Sequence, residues 1–212
     1  MTMDFPLALK LTHGLLDALG PEYKDRIKQN HRRLGMRSPK NQQVLIVDGY
    51  LGQEAISLCV IAKDWRITQV EPNKDFLFAA VRRVEALDLE SRIDFEKAPL
   101  EEMGLGPFDL CLCSLGHGLL EPHAQSTRLK ELAKRLKPNG RLLLTLILDD
   151  PARWEAWRAA HPAQETDLKA LVQTAPPVNR NTLFKQTTET GFGPPESWGV
   201  GGLVETFSFI KA

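Results

Sequence analysis

The sequence predicts an α/β fold, a mostly parallel sheet with helices on both faces. Three observations predict it. From about residue 43, short apolar runs alternate with longer amphipathic segments. The short runs are almost continuous in apolar residues, the pattern of strands buried on both faces. The first of them, in "VLIVDGYLGQEA" (44–55), ends in a glycine turn that opens a helix, as a strand does before its crossover helix.

The elements follow in order. Residues 5–34 carry a helical pattern, with Leu7, Leu11, Leu15 and Leu19 at spacing four and a break at Gly20-Pro21. That leucine stripe suits packing on the sheet domain, a lid or a dimer face. A second helix from about Glu22 carries Lys24, Arg26, Lys28, His31, Arg32 and Arg33, read as a solvated face. "QVLIVDG" is the first strand and "QEAISLCVIA" a helix. "RITQVEP" is the second strand, and "NKDFLFAAVRRVEALDL" is a helix whose Asn73 can cap the first turn. "RIDFEKA" and "FDLCLCSLG" are the third and fourth strands. "QSTRLKELAKRLKPNG" is a helix stopped by Pro138 and Gly140, and "RLLLTLIL" is the fifth strand. A helix around "PARWEAWRAA" follows, where Trp154 and Trp157, three apart, indicate packing. "TLFKQTTETGFG" and "GLVETFSFIKA" both have strand character. The glycine-rich segment between them suggests a sheet edge closed by an antiparallel strand. Trp198, in that segment, is placed to cover a substrate.

Composition narrows the function. The 212 residues suit one domain with a helical N-terminal segment, divided here as 1–40 and 41–212. Twenty-seven basic and 27 acidic residues leave a formal net charge of +0. A protein that holds nucleic acid through its phosphates carries a basic excess, so nucleic acid is not the expected partner. No apolar run reaches membrane-span length, and "MTMDFPLALK" is too acidic and too short in its apolar stretch for a signal peptide. Cys59, Cys111 and Cys113 lie in apolar segments and read as free thiols, with no histidine cluster beside them to suggest a metal. The expected setting is the cytoplasm.

In an open sheet of this kind, ligands bind where strands end and their order reverses. The residues to examine are therefore Asp48 to Gly52, Glu71-Pro72, Ala98 to Leu100 and Ser114 to Gly118. Glu71 ends the second strand, nineteen residues past Gly52. At that place an acid can accept hydrogen bonds from a ribose diol, and it can equally be a solvated loop acid. Gly49 and Gly52 permit close backbone approach at a helix N-terminus, or simply form a helix-entry turn. His117 follows the fourth strand, where a histidine can act as a base near neutral pH or bond to nearby backbone. His123 reads as a loop residue.

Taken together, these segments resemble the Rossmann-like family of S-adenosylmethionine-dependent methyltransferases. The resemblance runs from about Val44 to Ala212, through "VLIVDGYLGQEA", "QVEPNKDFLFAAVRR", "RIDFEKAPLEEM", "PFDLCLCSLGHGL", "ELAKRLKPNGRLLLTL" and "TGFGPPESWGVGGLVETFSFIKA". It implies a doubly wound, seven-stranded sheet with an antiparallel last strand, and S-adenosylmethionine as cofactor. It places the ribose acid on Glu71, followed by Pro72, and the last motif glycine on Gly52. The cofactor would pass along Asp48, Gly49, Tyr50 and Gly52, with Leu100 offering its N–H to adenine and Ser114 at the fourth strand end. His117 falls in the region that faces substrate and is the candidate base.

The sequence departs from the family pattern at four positions. Asp48 and Tyr50 stand where two motif glycines fall. Ile46 stands where an acid helps to orient the methionine amine, and Pro99 where an acid borders adenine. Asp48 can replace the carboxylate missing at Ile46 and take the cofactor's ammonium, or it can serve as a turn or cap acid. Tyr50 would set a phenol where the family keeps bare backbone. The expected function is methyl transfer to a small molecule. The alternative is a catalytically inactive methyltransferase-like subunit that binds a protein partner, with a homodimer also open. A Rossmann-type fold for another nucleotide such as NAD is a weaker third reading.

Overall fold

A computed structural model describes residues 25, 28–34, 39–115, 118, 120, 122–162, 177–198 and 203–212. The leucine stripe of residues 7–19, His117 and the 199–202 glycine segment lie outside these residues.

Seven strands form one sheet: β1 (Gln43–Val47), β2 (Arg66–Val70), β3 (Ile93–Glu96), β4 (Phe108–Ser114), β5 (Leu136–Ile147), β6 (Glu196–Ser197) and β7 (Val204–Ile210). Their order is β3-β2-β1-β4-β5-β7-β6. β1 pairs in parallel with β2 and β4, β4 with β5, and β2 with β3. β7 runs antiparallel to both β5 and β6. This is the doubly wound, mostly parallel sheet with a reversed last strand that the sequence predicts.

The strand burial explains the sequence pattern. Val44, Leu45, Ile46 and Val47 are all buried because β1 is central and covered on both faces. On one face, Val44, Ile46, Leu110, Leu112 and Leu143 pack with Leu34, Trp198 and helix α1 (Gln53–Ile61). On the other, Leu45, Val47, Cys111, Cys113, Leu142 and Leu144 pack with Leu129 and Leu132 of α3 (Pro122–Arg135) and Leu183 of α5 (Arg180–Glu189). Between these come α2 (Lys74–Glu85) and α4 (Pro151–Ala160). Full burial of each such side chain contributes roughly 1.5–3 kcal/mol. The three thiols are free and buried. Burial pushes the Cys59 and Cys111 thiols up from their ordinary value.

Caps fix three helix starts. Asn73 accepts from the Asp75 and Phe76 N–H groups, as expected for α2. Asp150 and Asn179 cap α4 and α5 in the same way.

Five expectations need correction. "TLFKQTTETGFG" is mainly the helix α5, not a strand. Its β-branched threonines suggest a strand, but Asn179 nucleates the helix. Thr187, Thr188 and Thr190 return their hydroxyls to carbonyls one turn back. The edge strand is instead the two-residue β6, which pairs with β7. The helix of residues 125–140 ends at Arg135. β5 already pairs at Leu136 with Phe108, and the Pro-Asn-Gly turn is an irregularity inside the strand. His123 is an exposed helical residue of α3 rather than a loop residue. The basic face around 24–33 is not uniformly solvated: Asn30, His31 and Leu34 are buried on the sheet. Trp198 is a core residue rather than a substrate cover, with the Arg33 and Arg141 guanidiniums 4.8 and 5.4 Å from its ring centroid. Trp154 and Trp157 are buried, and Trp154 donates to the Leu148 carbonyl. Among the described residues no helix is long and apolar enough to cross a membrane.

Candidate functional site

The strand order reverses between β1 and β4, so the crevice expected of such a sheet opens at their carboxyl ends. After β1, three residues adopt left-handed backbone: Asp48 at φ 55°, Tyr50 at φ 47° and Gly52 at φ 74°. That conformation costs a residue with a Cβ roughly 1–2 kcal/mol, with aspartate among the more tolerant. The loop thus keeps a glycine-type path at two positions that are not glycine. Gly49 is required for a different reason. A Cβ there would lie 2.4 Å from Cδ of Gln69, a buried β2 side chain whose Nε2 donates to the Tyr50 carbonyl.

Glu71 closes the site from the end of β2. It is 4% exposed. One carboxylate oxygen accepts from the Tyr50 N–H at 2.9 Å, the other from the Asn73 N–H at 3.0 Å. Burial, with a smaller contribution from the Asp48 charge, outweighs these two hydrogen bonds and pushes the Glu71 carboxyl up to about 7. Glu71 therefore changes charge near neutral pH.

Asp48 does not stand free in the crevice. It is ion-paired with Arg128 of α3, whose Nη1 donates to Oδ2, and the two side chains are 18% and 14% exposed. Burial works against the Arg128 charge, but Asp48 and the hydrogen bonds to Asp48 and Cys113 more than offset it. The guanidinium is held above its already high ordinary value. Among the described residues its buried Nε has no hydrogen-bond partner.

The other expected residues are distributed around this centre. Tyr50 is half-buried, its ring edge-on to Phe76 at 5.7 Å. Pro72 is exposed. Leu100 is buried at the start of a one-turn helix, Leu100–Glu102, capped by Pro99. Ile46 belongs to the core on the α1 face, which explains an apolar residue there. Ser114 points toward the α1 face and donates to Glu54 Oε1 at 2.8 Å; His31 Nε2 lies 3.7 Å from the same oxygen.

Arg128, Gln69 and Glu54 escaped the sequence reading, which placed His31 on a solvated face. For Arg128 a signal existed. It stands with Gln125, Leu129 and Leu132 on the buried stripe of α3, and a cation on such a stripe needs a partner.

No protein-family model and no curated protein matches the sequence. Solved structures do. The S-adenosylmethionine-dependent methyltransferase SibL is 18% identical with a TM-score of 0.66, the match covering 96% of this chain and 56% of SibL. The mitomycin 7-O-methyltransferase MmcR is 17% identical with a TM-score of 0.70, over 97% of this chain and 55% of its own. PigF, solved with SAH, is 12% identical with a TM-score of 0.63, over 84% and 53%. The fold is that of the S-adenosylmethionine-dependent methyltransferases. At these identities the likeness is one of fold, and the chain spans about half the length of these structures.

The site can be tested against the cofactor of that fold. Two carboxylates, Asp48 and Glu71, lie close enough for the charge of Asp48 to disfavour ionisation of Glu71. S-adenosylmethionine carries a sulfonium, an ammonium and a ribose diol, which match carboxylate acceptors in kind. The loop after β1 has left-handed backbone at 48, 50 and 52. The residues therefore fit the cofactor by donor and acceptor type, with Arg128 presently on one of the two acids.

Proposed function

We propose that this chain is an S-adenosylmethionine-dependent methyltransferase acting on a small molecule. The observation that carries the reading is the pair of carboxylates at the switch point of a methyltransferase-type sheet, Asp48 on the left-handed loop after β1 and Glu71 at the end of β2. When bound, the cofactor supplies a methyl group already activated on sulfur. Glu71 would accept from the ribose diol and Asp48 from the ammonium. The Leu100 backbone would border adenine, and Gly49 and Gly52 would keep the loop close to the ligand. Methyl transfer then depends chiefly on orienting the acceptor. His117 would take a proton where the acceptor carries one. The balanced net charge supports a small or neutral acceptor over nucleic acid.

The test is calorimetry with S-adenosylmethionine and S-adenosylhomocysteine, alongside thermal unfolding. Binding heat and a raised melting temperature are expected. Absence of both at millimolar ligand overturns the reading.

One observation favours a second reading. Both oxygens of Glu71 and the charge of Asp48 already have partners within the chain. A methyltransferase-like subunit that binds a protein partner without turning over cofactor would have such a self-satisfied loop. Cofactor turnover by the isolated chain excludes it.

A further inference from the structure

We propose that Arg128 is a resident stand-in for the cofactor's ammonium group, a cationic latch that must leave Asp48 before the amino-acid end of the cofactor can bind. This rests on the cofactor reading above and adds to it a residue that controls affinity and ligand selection.

Four features of the site support the latch. Arg128 is the cation on Asp48, and it comes from α3, not from the loop that carries Asp48. The pair lies in the crevice between the β1 and β4 ends, since Asp48 follows β1 and the other Arg128 partner, Cys113, belongs to β4. The pair is largely but not wholly buried, at 18% and 14% side-chain exposure, so it still meets solvent. Among the described residues the Arg128 fork is also incompletely used, because its Nε is buried with no partner there. A guanidinium held mainly by one charge, with an idle donor, is less firmly committed than one whose fork is fully satisfied.

The exchange is balanced in charge. Moving Arg128 away with nothing in its place would strand the Asp48 carboxylate in a partly dry crevice next to Glu71. An arriving ammonium replaces one cation by another, so Asp48 is never left bare. The latch still lowers affinity, because the incoming ammonium must displace the Arg128 contact to gain its own. It also discriminates. A nucleoside without an ammonium has no cation to offer Asp48 and no reason to open the latch.

The experiment compares three probes by calorimetry: S-adenosylmethionine, S-adenosylhomocysteine and 5′-methylthioadenosine, which keeps the adenosine and thioether but lacks the ammonium. Each is titrated into the wild-type chain, Arg128→Met and Arg128→Gln, with folding checked by circular dichroism and thermal unfolding. The expected result is tightening of the first two probes by about tenfold or more in both variants, with 5′-methylthioadenosine unchanged. In the Asp48→Asn background the Arg128 substitutions should no longer tighten binding. If Arg128→Met does not fold, Arg128→Gln, which can still hydrogen-bond to Asp48, must show the same direction. Unchanged or weaker binding of S-adenosylmethionine in a folded variant overturns the latch and leaves the cofactor reading standing. Tightening of 5′-methylthioadenosine by the same factor overturns it too, since the gain then owes nothing to an ammonium. If no probe binds the wild-type chain or either folded variant, the cofactor reading fails and the latch with it.

Discussion

Two buried glutamates lie at the same end of the sheet and are stabilised in opposite ways. Glu205, near the start of the antiparallel β7 and opposite Leu146 of β5, is almost fully buried. It receives Arg153 at 2.8 Å, Arg180 at 2.6 Å and the Ser197 hydroxyl at 2.7 Å. Those partners come from α4, α5 and β6, so one carboxylate ties three peripheral elements to β7. Glu71 is buried to a similar degree but, among the described residues, has two backbone N–H groups and a like charge nearby. Full positive charges make Glu205 a staple. Their lack leaves Glu71 poised between charge states, and a perturbed carboxyl in a crevice marks a functional candidate. The environment, not the residue type, separates structural from functional acids here.

The largest effect is expected at the staple. Glu205→Ala would leave the partly buried Arg153 without its main partner and unfasten α4, α5 and β6. A loss of about 3–5 kcal/mol is expected in urea unfolding. A loss below 1 kcal/mol would put Glu205 in the same class as an exposed ion pair and break the comparison.

Next comes the pH dependence of Glu71. Its folded-state pKa, about 7, lies above its ordinary value of 4.5. Its contribution to stability is thus fully present below about 4.5 and is lost as pH rises through about 7. The loss is at most roughly 3 kcal/mol. Unfolding free energy should accordingly fall between pH 5 and 8, and Glu71→Gln should flatten that slope. A variant with the same slope as the wild-type chain would assign it to other groups. The same poise predicts proton release on cofactor binding that is largest between about pH 5 and 7 and fades above it, because hydrogen bonds to the ionised carboxylate favour that form. Calorimetry in buffers of different ionisation enthalpy reads this directly.

Gly49→Ala tests the packing behind the loop. The new methyl would press on Gln69, and about 1–3 kcal/mol of destabilisation is expected. Shortening Gln69 to Ala in the same chain should recover part of it. The smallest effect belongs to Tyr50→Gly. Relief of left-handed strain is set against loss of the ring contact with Phe76, leaving a net change within about 1 kcal/mol. Its sharper readout is ligand affinity: if the phenol crowds the cofactor path, S-adenosylmethionine binds the variant more tightly.

How much of this was legible in the chain depends on range. Glu71, Asp48 and the glycine loop could be found because strand ends, turn residues and a nineteen-residue spacing are local features. Arg128 could not be paired with Asp48, since 80 residues separate them and only the crossover through β4 brings them together. The polar contact of Ser114 with Glu54, beside His31, likewise joins β4, α1 and the helix at 28–34, three elements distant in sequence. The "TLFKQTTETGFG" segment misled because side-chain branching suggests a strand, whereas capping and packing of Leu183 and Thr187 decided for helix.

The sequence by itself determined the alternation of strands and helices and the presence of acids at the ends of β1 and β2. Hydrophobic burial acts residue by residue and leaves its period in the chain. The tertiary structure alone decided which charges meet. It gave Glu205 two arginines, left Glu71 with backbone donors, and set Arg128 on Asp48. Electrostatic pairing depends on distance in space and on how much water is excluded, and neither quantity is written in the order of the residues.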